Sequence, residues 1–182
     1  MPHEIGRPTD AAEIHPVLID GRIQLRRHDP GWALAYQGEE TKIRSALGGR
    51  AILVEHVGST AVQGLSAKPI LDIVLAVEDS TDEASYLPDL EAAGYLFRVR
   101  EPNWYQHRLF KGPHPAVNLH LFSIGCEEID RMLDLRNRLR ESPQERERYE
   151  QAKRALAART WQTVQDYADA KSDVIAEILG TI

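Results

Sequence analysis

The feature that most constrains this chain is the run Ile70-Leu71-Asp72-Ile73-Val74-Leu75-Ala76-Val77, apolar at every position but one. It falls far short of the roughly 18 apolar residues that span a bilayer. Its β-branched content and lack of a helical period read as a strand buried on both faces. Such a strand needs a sheet with cover on each side, so the chain must supply neighbouring strands and helical layers. It also carries a carboxylate, Asp72, where an unpaired charge is costly. Something in the fold must pair with it.

Signals on either side of the run supply the sheet and its cover. Residues 1–16, rich in Pro, Gly and acids, read as a flexible leader. Val17-Leu18-Ile19 and Ile23-Gln24-Leu25 flank Asp20-Gly21, a pair suited to a tight hairpin turn. Asp29-Pro30-Gly31 opens a helical pattern through Trp32, Ala35, Tyr36, Ile43 and Leu47, closed by Gly48-Gly49, with Glu39, Glu40, Lys42 and Arg44 on its polar face. Residues 52–57 are a second strand candidate, and a helix over 82–93 stops at Gly94. YLFRVR, YQHRLFK and VNLHLFS, between 95 and 123, read as three shorter strands. Beyond Cys126 the pattern turns helical. Ile129, Met132, Leu133, Arg136 and Leu139 make one stripe. Ser142-Pro143-Gln144-Glu145 marks a new helix start, with a capping residue followed by proline at the first helical position. Tyr149, Ala152 and Leu156 continue that helix, and Trp161, Val164, Tyr167, Ala168, Lys171, Ile175 and Ile178 make a third stripe. The expected architecture is α+β in a single domain over 17–182. It has a mixed β-sheet core over 17–125 with packed helices, and a helical C-terminal third over 126–182.

Charge and cysteine content narrow the chemistry. With 28 acidic against 22 basic residues in 182, the formal charge is −6. That argues against broad nucleic-acid binding, although it permits a local basic pocket. The single cysteine, Cys126, allows no internal disulfide and no multi-cysteine zinc site; it reads as a small buried hydrophobe. The opening MPHEIGRPTDAAE lacks the apolar core of a secretion signal. The expected setting is cytoplasmic, with no membrane partner. Oxygen and nitrogen ligands must carry any chemistry.

The loop joining the two central strand candidates is the most informative stretch. Gly58-Ser59 follows a strand directly, so its backbone amides and the Ser59 and Thr60 hydroxyls can face one end of the sheet, where they suit phosphate oxygens. Lys68 adds a point charge at the same end. Asp72 starts the next strand, a natural place for a ligand of Mg²⁺, which takes oxygen donors. The plainer alternative is that Asp72 accepts hydrogen bonds from the 58–60 turn and ties it down.

At this point the motif VEHVGSTAVQGLSAKPILDIVLAV resembles the signature of the GrpB family of bacterial proteins. HDPGWALAYQGEETKIRSAL, EAAGYLFR and LRNRLRESPQERERYEQAKRALA extend the likeness from about Val17 onward. The resemblance implies a nucleotidyltransferase-like fold of the type seen in DNA polymerase beta. In that superfamily a Gly-Ser turn touches nucleotide phosphates, and an Asp-x-Asp or Asp-x-Glu pair holds two divalent metals. Gly58 and Ser59 match the turn and Asp72 the first carboxylate, but position 74 is valine. Glu78 lies about 20 Å further along an extended strand, too far to substitute. Gln63 and Asn137 are further departures, where family members often have proline and aspartate.

Other residues are candidates to complete the site. Asn118 and His120 share a strand face, and His120 stands where a later carboxylate would be expected. His56, Asp72 and His120 together suit a transition metal or an acid–base set; alternatively the histidines simply cap strand ends. His107 and Arg108 alternate, so one of them faces the site. Arg108 is the preferred anion contact for its planar fork, unless it is merely solvated. Lys171, on an apolar stripe, reads as a snorkelling side chain. The expected function is nucleotidyltransferase-like binding of a nucleotide or other phosphorylated small molecule. Transfer to a small acceptor with Mg²⁺ at Asp72 is one extension of it. The alternatives are a non-catalytic nucleotide or coenzyme module, the coenzyme suggested by resemblance to domains fused to a coenzyme A biosynthetic kinase, and a His/Asp metal enzyme of another class.

Overall fold

In a computed structural model, which describes residues 23–112, 114 and 116–180, the chain forms a five-stranded mixed sheet covered by helices. The elements run α1 (Gly31–Leu47), β1 (Leu53–Val57), β2 (Leu71–Val77), α2 (Leu87–Ala92), β3 (Leu96–Glu101), β4 (His107–Gly112), β5 (Val117–Ser123), α3 (Glu127–Glu141), α4 (Pro143–Ala157), α5 (Val164–Asp169) and α6 (Ser172–Leu179). The leader and the turn at Asp20-Gly21 lie outside the described residues. Downstream of them, Arg26 exchanges backbone hydrogen bonds of 2.8 and 2.9 Å with Ala67, tying the chain to the loop before β2.

The strand order is β1-β2-β5-β4-β3. β2 pairs antiparallel with β1 and parallel with β5, and the outer β5-β4-β3 pairs are antiparallel. The apolar run therefore occupies an interior strand, and every residue of β2 except Asp72 is buried. One face presents Leu71, Ile73 and Leu75, with Val117, Leu119 and Leu121 of β5 and Phe110 of β4, to α1 and α2. The other presents Val74, Ala76 and Phe122 to Ile129, Met132 and Leu133 of α3. Burial of each large aliphatic side chain here contributes about 1.5–3 kcal/mol.

Several boundaries differ from the sequence expectation for local reasons. The helix expected over 82–93 is split into a single turn, Glu83–Ser85, and α2, with Pro88 in its first turn. The C-terminal helical pattern is four helices, the last expected stripe being split into α5 and α6; Ser142 caps α4 by accepting from the Glu145 backbone N–H at 3.2 Å, as the motif implies. Glu39, expected on the polar face of α1, is buried. It accepts a hydrogen bond from the Tyr95 hydroxyl and one from Lys42 at 2.6 Å.

Arg108 is the main correction on this side of the sheet. Strand alternation puts it with Phe110, away from Asp72, and its side chain is 4% exposed. Its Nε donates to Glu83 Oε1 at 2.6 Å, and Glu83 also takes Arg100 Nε at 2.7 Å. Burial draws the Glu83 carboxyl upward, yet the two guanidinium groups outweigh it and hold it below the ordinary range. Arg108 is thus a structural ion-pair partner. Glu83→Ala leaves a buried guanidinium without its carboxylate and is expected to lower unfolding free energy by about 3 kcal/mol. Urea denaturation checks this, and an unchanged midpoint would show that the cluster carries no stability.

Candidate functional site

The register of the central strands builds one row across the sheet: Val57 opposite Asp72, Asp72 opposite Asn118, and Asn118 opposite Lys111. Alternation places His120 beside Val74 in the next row. Asp72, Asn118, Lys111 and His120 floor a cavity of about 300 Å³, walled by Ser59, Thr60 and Lys68 from the β1–β2 connection. Helices α4 and α5 and the α5–α6 junction close it with Lys153, Tyr167 and Lys171.

Gly58 shapes the turn at one end. Its φ is +70°, and a Cβ there would lie 2.7 Å from Asp72 Oδ2. The glycine is needed both for the left-handed backbone and for the close approach. Asp72 constrains the turn by contact, and its recorded hydrogen bond comes from elsewhere: Asn118 Nδ2 donates to Oδ1 at 2.8 Å. His120 Nε2 stands 3.5 Å from the same oxygen, and the Asp72 side chain keeps 34% of its surface accessible. Burial draws the Asp72 carboxyl upward, but His120, Asn118 and the Lys171 charge hold it below the ordinary range, so it is ionised.

Ammonium groups dominate the cavity. Lys153 Nζ donates to Ser59 Oγ at 3.1 Å and to the Ser66 carbonyl, fixing the Ser59 hydroxyl. Lys111 donates to Asn118 Oδ1, which turns the amide so that its nitrogen meets Asp72. Lys68 and Lys171 lie 5.4 and 4.8 Å from the centre of the Tyr167 ring, a cation–π arrangement for both. Burial pushes Lys153 down to about 7, with Lys171 and Arg154 adding repulsion against Glu150. Burial and the charge of Lys68 push Lys171 down to about 8. Burial lowers Lys68 and Lys111 as well, against the pull of Asp72.

A chain of imidazoles enters from the side. His107 Nδ1 is 2.6 Å from Glu101 Oε2, and His107 Nε2 is 3.1 Å from His120 Nδ1. An ionised carboxylate only accepts, so the first proton belongs to His107 Nδ1. Burial favours neutral His107 over the opposing pull of Glu101. Its Nε2 therefore accepts from His120 Nδ1–H, and His120 Nε2 is directed toward Asp72 Oδ1 at the cavity floor. The Trp104 and Phe122 rings pack against His107, 5.1 and 4.7 Å away between centroids, and hold the relay in place.

The sequence-derived candidates are gathered only in part. Gly58 abuts Asp72, and Ser59, Thr60, Lys68, Asp72, Asn118 and His120 line the cavity. His56 and Arg108 do not. His56 faces the opposite side of β1, stacked on Tyr36 at 4.9 Å, and burial pushes it down to about 4. It meets the turn only through Thr60 Oγ1, 2.9 Å from its Nε2, so His56, Asp72 and His120 form no cluster. Arg136 turns inward to Glu55 at 2.6 Å and to the His56 carbonyl at 2.9 Å, fastening α3 to β1. Lys171, read as a snorkelling side chain, is half-buried and lines the cavity with its ammonium over the Tyr167 ring. Lys111, Lys153 and Tyr167 went unread. Lys153 had a signal: with Tyr149 and Leu156 it falls on a helical apolar stripe, where a charge is out of place.

The donor set does not suit a metal pair. Val74 is fully buried in the apolar layer under α3. Among the described residues no three His, Cys, Asp or Glu side chains converge as metal ligands. A hard divalent cation would have one carboxylate oxygen atom pair and four nearby ammonium groups, a poor match to the oxygen-rich shell it needs.

Comparison with known proteins agrees with the fold. A family profile described as GrpB protein matches residues 22–181. The chain is 54% identical over 157 residues to a UPF0157 protein of Halalkalibacterium halodurans, covering 86% of this chain and 80% of that one. It is 46% identical over 156 residues to a UPF0157 protein of Streptomyces coelicolor, covering 86% and 82%. The crystal structure of conserved protein GrpB from Enterococcus faecalis superimposes with a TM-score of 0.71 at 27% identity, over 87% of this chain and 98% of that one. The chain belongs to the GrpB family, with its α+β five-stranded mixed sheet and C-terminal helices. Among the described residues no helix is long and apolar enough to cross a membrane.

Two outcomes follow from this geometry. Gly58→Ala must strain the turn and collide with Asp72, and is expected to cost about 2 kcal/mol or more in thermal unfolding; wild-type stability would show that the approach is not tight. Lys153 and Lys171 bind protons less well when folded than when unfolded, so the unfolded chain holds more protons above neutrality. Stability of the ligand-free protein should therefore rise from about pH 7 to about pH 9. Nearer pH 10 the buried Tyr36, Tyr86, Tyr95 and Tyr149, whose hydroxyls burial pushes upward, act in the opposite direction. Denaturant titrations at several pH values measure the slope, and a fall across the lower window would contradict the lysine assignment.

Proposed function

We propose that this protein binds a phosphorylated small molecule, a nucleotide or a coenzyme, in the cavity between the sheet and the C-terminal helices. The observation that carries this is the convergence of Lys68, Lys111, Lys153 and Lys171 on one cavity of a chain whose formal charge is −6. Lys153 is buried and the other three are half-buried, and like charges gathered in this way lower stability unless an anion joins them. Ser59 and Thr60 add hydroxyls at the Gly58 turn, and Lys is a phosphate binder that acts as a point charge. The turn followed by Asp72 on the next strand matches a nucleotidyltransferase-like arrangement, and this supports a nucleotide as the ligand.

Transfer of a nucleotidyl group is a second reading, favoured by the orientation of His120. The Asp72–His120 pair, held by the Glu101–His107 chain, can take the proton of an acceptor hydroxyl. The oxygen so freed would attack the α-phosphorus, with pyrophosphate leaving toward the lysines. Buried Val74 supports the binding role first, because position 74 supplies no second carboxylate. A cavity of about 300 Å³ is of a size for a small molecule.

Binding is tested by thermal shift and calorimetry with the nucleoside triphosphates, coenzyme A, dephospho-coenzyme A and inorganic phosphates. A ligand at a hundred times its Kd adds about 2.7 kcal/mol of stability. Lys171→Met removes a half-buried charge whose contacts are an aromatic face and a distant carboxylate. It is expected to raise the melting temperature of the ligand-free protein while weakening ligand binding about tenfold. If no nucleotide, coenzyme or phosphate anion binds, the reading is wrong.

A further inference from the structure

We propose that the cavity recognises a chain of two or more phosphates and neutralises it with Lys68, Lys111, Lys153 and Lys171 in place of divalent cations. The inference rests on the phosphate-binding reading above and specifies the ligand and its counter-charge.

The four ammoniums set against Asp72 leave three net positive charges when all are protonated. A phosphate monoester brings only about two negative charges, which leaves lysine charge uncompensated. A diphosphate or triphosphate, with at least one more ionised oxygen, matches it. Space gives the same answer. A cavity of about 300 Å³ holds the volume of roughly ten waters, more than one phosphate group fills.

The lysines are also spread out. Lys68 comes from the β1–β2 connection, Lys111 from β4, Lys153 from α4 and Lys171 from the α5–α6 junction. Lys153 is held at Ser59 and Lys111 at Asn118, so the two mark different ends of the Asp72 row. One tetrahedral group cannot meet all four. A phosphate chain laid from the Ser59 turn toward Asn118, under Tyr167, can.

The metal alternative fails on the donor set. In two-metal phosphoryl transfer, paired carboxylates hold the ions against the phosphates. Here the second position is Val74, packed against Ala76, Phe122 and Ile129. Asp72 Oδ1 already accepts from Asn118, and the ammoniums occupy the ground where cations would sit. Lysines neutralise the same oxygens without a metal. The depressed proton affinity of Lys153 and Lys171 fits this: an arriving polyanion restores their charge, so binding near pH 8 takes up protons.

Calorimetry of the full chain in EDTA separates the outcomes, with inorganic phosphate, pyrophosphate and tripolyphosphate as the probes. The expected result is at least about tenfold tighter binding of pyrophosphate or tripolyphosphate than of phosphate. Heats measured in buffers of different ionisation enthalpy should show net proton uptake. Adding Mg²⁺ should leave binding unchanged or weaken it by sequestering the anion, and Lys171→Met should weaken tripolyphosphate binding about tenfold. Tripolyphosphate binding that requires Mg²⁺, or phosphate binding as tightly as tripolyphosphate, overturns this inference and leaves the phosphate pocket standing. Tripolyphosphate binding that Lys171→Met does not alter overturns it as well, because the anion then sits elsewhere. Failure of all three anions and of the nucleotides overturns both.

Discussion

Because β2 and β5 run parallel and side by side, Asp72 stands opposite Asn118 and Val74 opposite His120. Nearly everything at the site depends on that register. A slip of one residue would send Asp72 into the aliphatic layer under α1, and a leucine or isoleucine into the cavity. The apolar faces on both sides make such a slip prohibitive, since each would have to bury charge and expose hydrocarbon. Packing thus specifies the position of a carboxylate that packing alone would exclude. Asp72 survives in an interior strand because it is the strand's second residue, where the sheet opens onto the helices' cavity.

The strands around this row differ in how legible they were. The run at 70–77 could hardly be anything but a doubly covered strand, and Gly58-Ser59 announced a turn at its end. The Ser142-Pro143 start of α4 was equally local in its signal. Alternation was the weak point. In YQHRLFK, His107 and Arg108 occupy opposite faces, and deciding between them requires knowing the strand's partner. The partner of Arg108 is Glu83, 25 residues away in a single helical turn, and no local pattern reveals it. His56 was misjudged for the same reason: it precedes the turn in sequence, but the pleat directs it toward Tyr36 on the far face. The lysines were partly hidden by a correct general rule, since a lysine on an apolar helix stripe usually snorkels. Lys153 and Lys171 break that rule because the stripe they lie on faces the edge of a sheet that offers a cavity.

The Glu101–His107–His120 chain shows how a hydrogen-bonded relay can be set without any residue that looks unusual in sequence. Each member is ordinary; only the ordering by hydrogen-bond direction assigns the protons. Trp104 and Phe122 pack on His107 and keep the ring from turning, so the tautomer is fixed by packing as much as by the carboxylate. The positive φ of both Tyr105 and Gln106, at 53° and 52°, is the strained turn that returns the strand to place His107 next to Glu101. Backbone strain of about 1–3 kcal/mol per residue persists only where surrounding contacts over-determine it.

The order in which the chain is synthesised acquires a meaning from the cavity's mixed origin. Strands β1 to β5 are complete by Ser123, whereas Lys153 and Lys171 are added later. A growing chain that has made its sheet carries Asp72, Lys68 and Lys111 on an open surface, with their charges in water and little mutual repulsion. The full arrangement, with four ammoniums around one cavity, comes into being only when the last helices fold back. The most strained electrostatics of the molecule are therefore postponed until a full core is present to hold them. The sheet forms without ever confronting them.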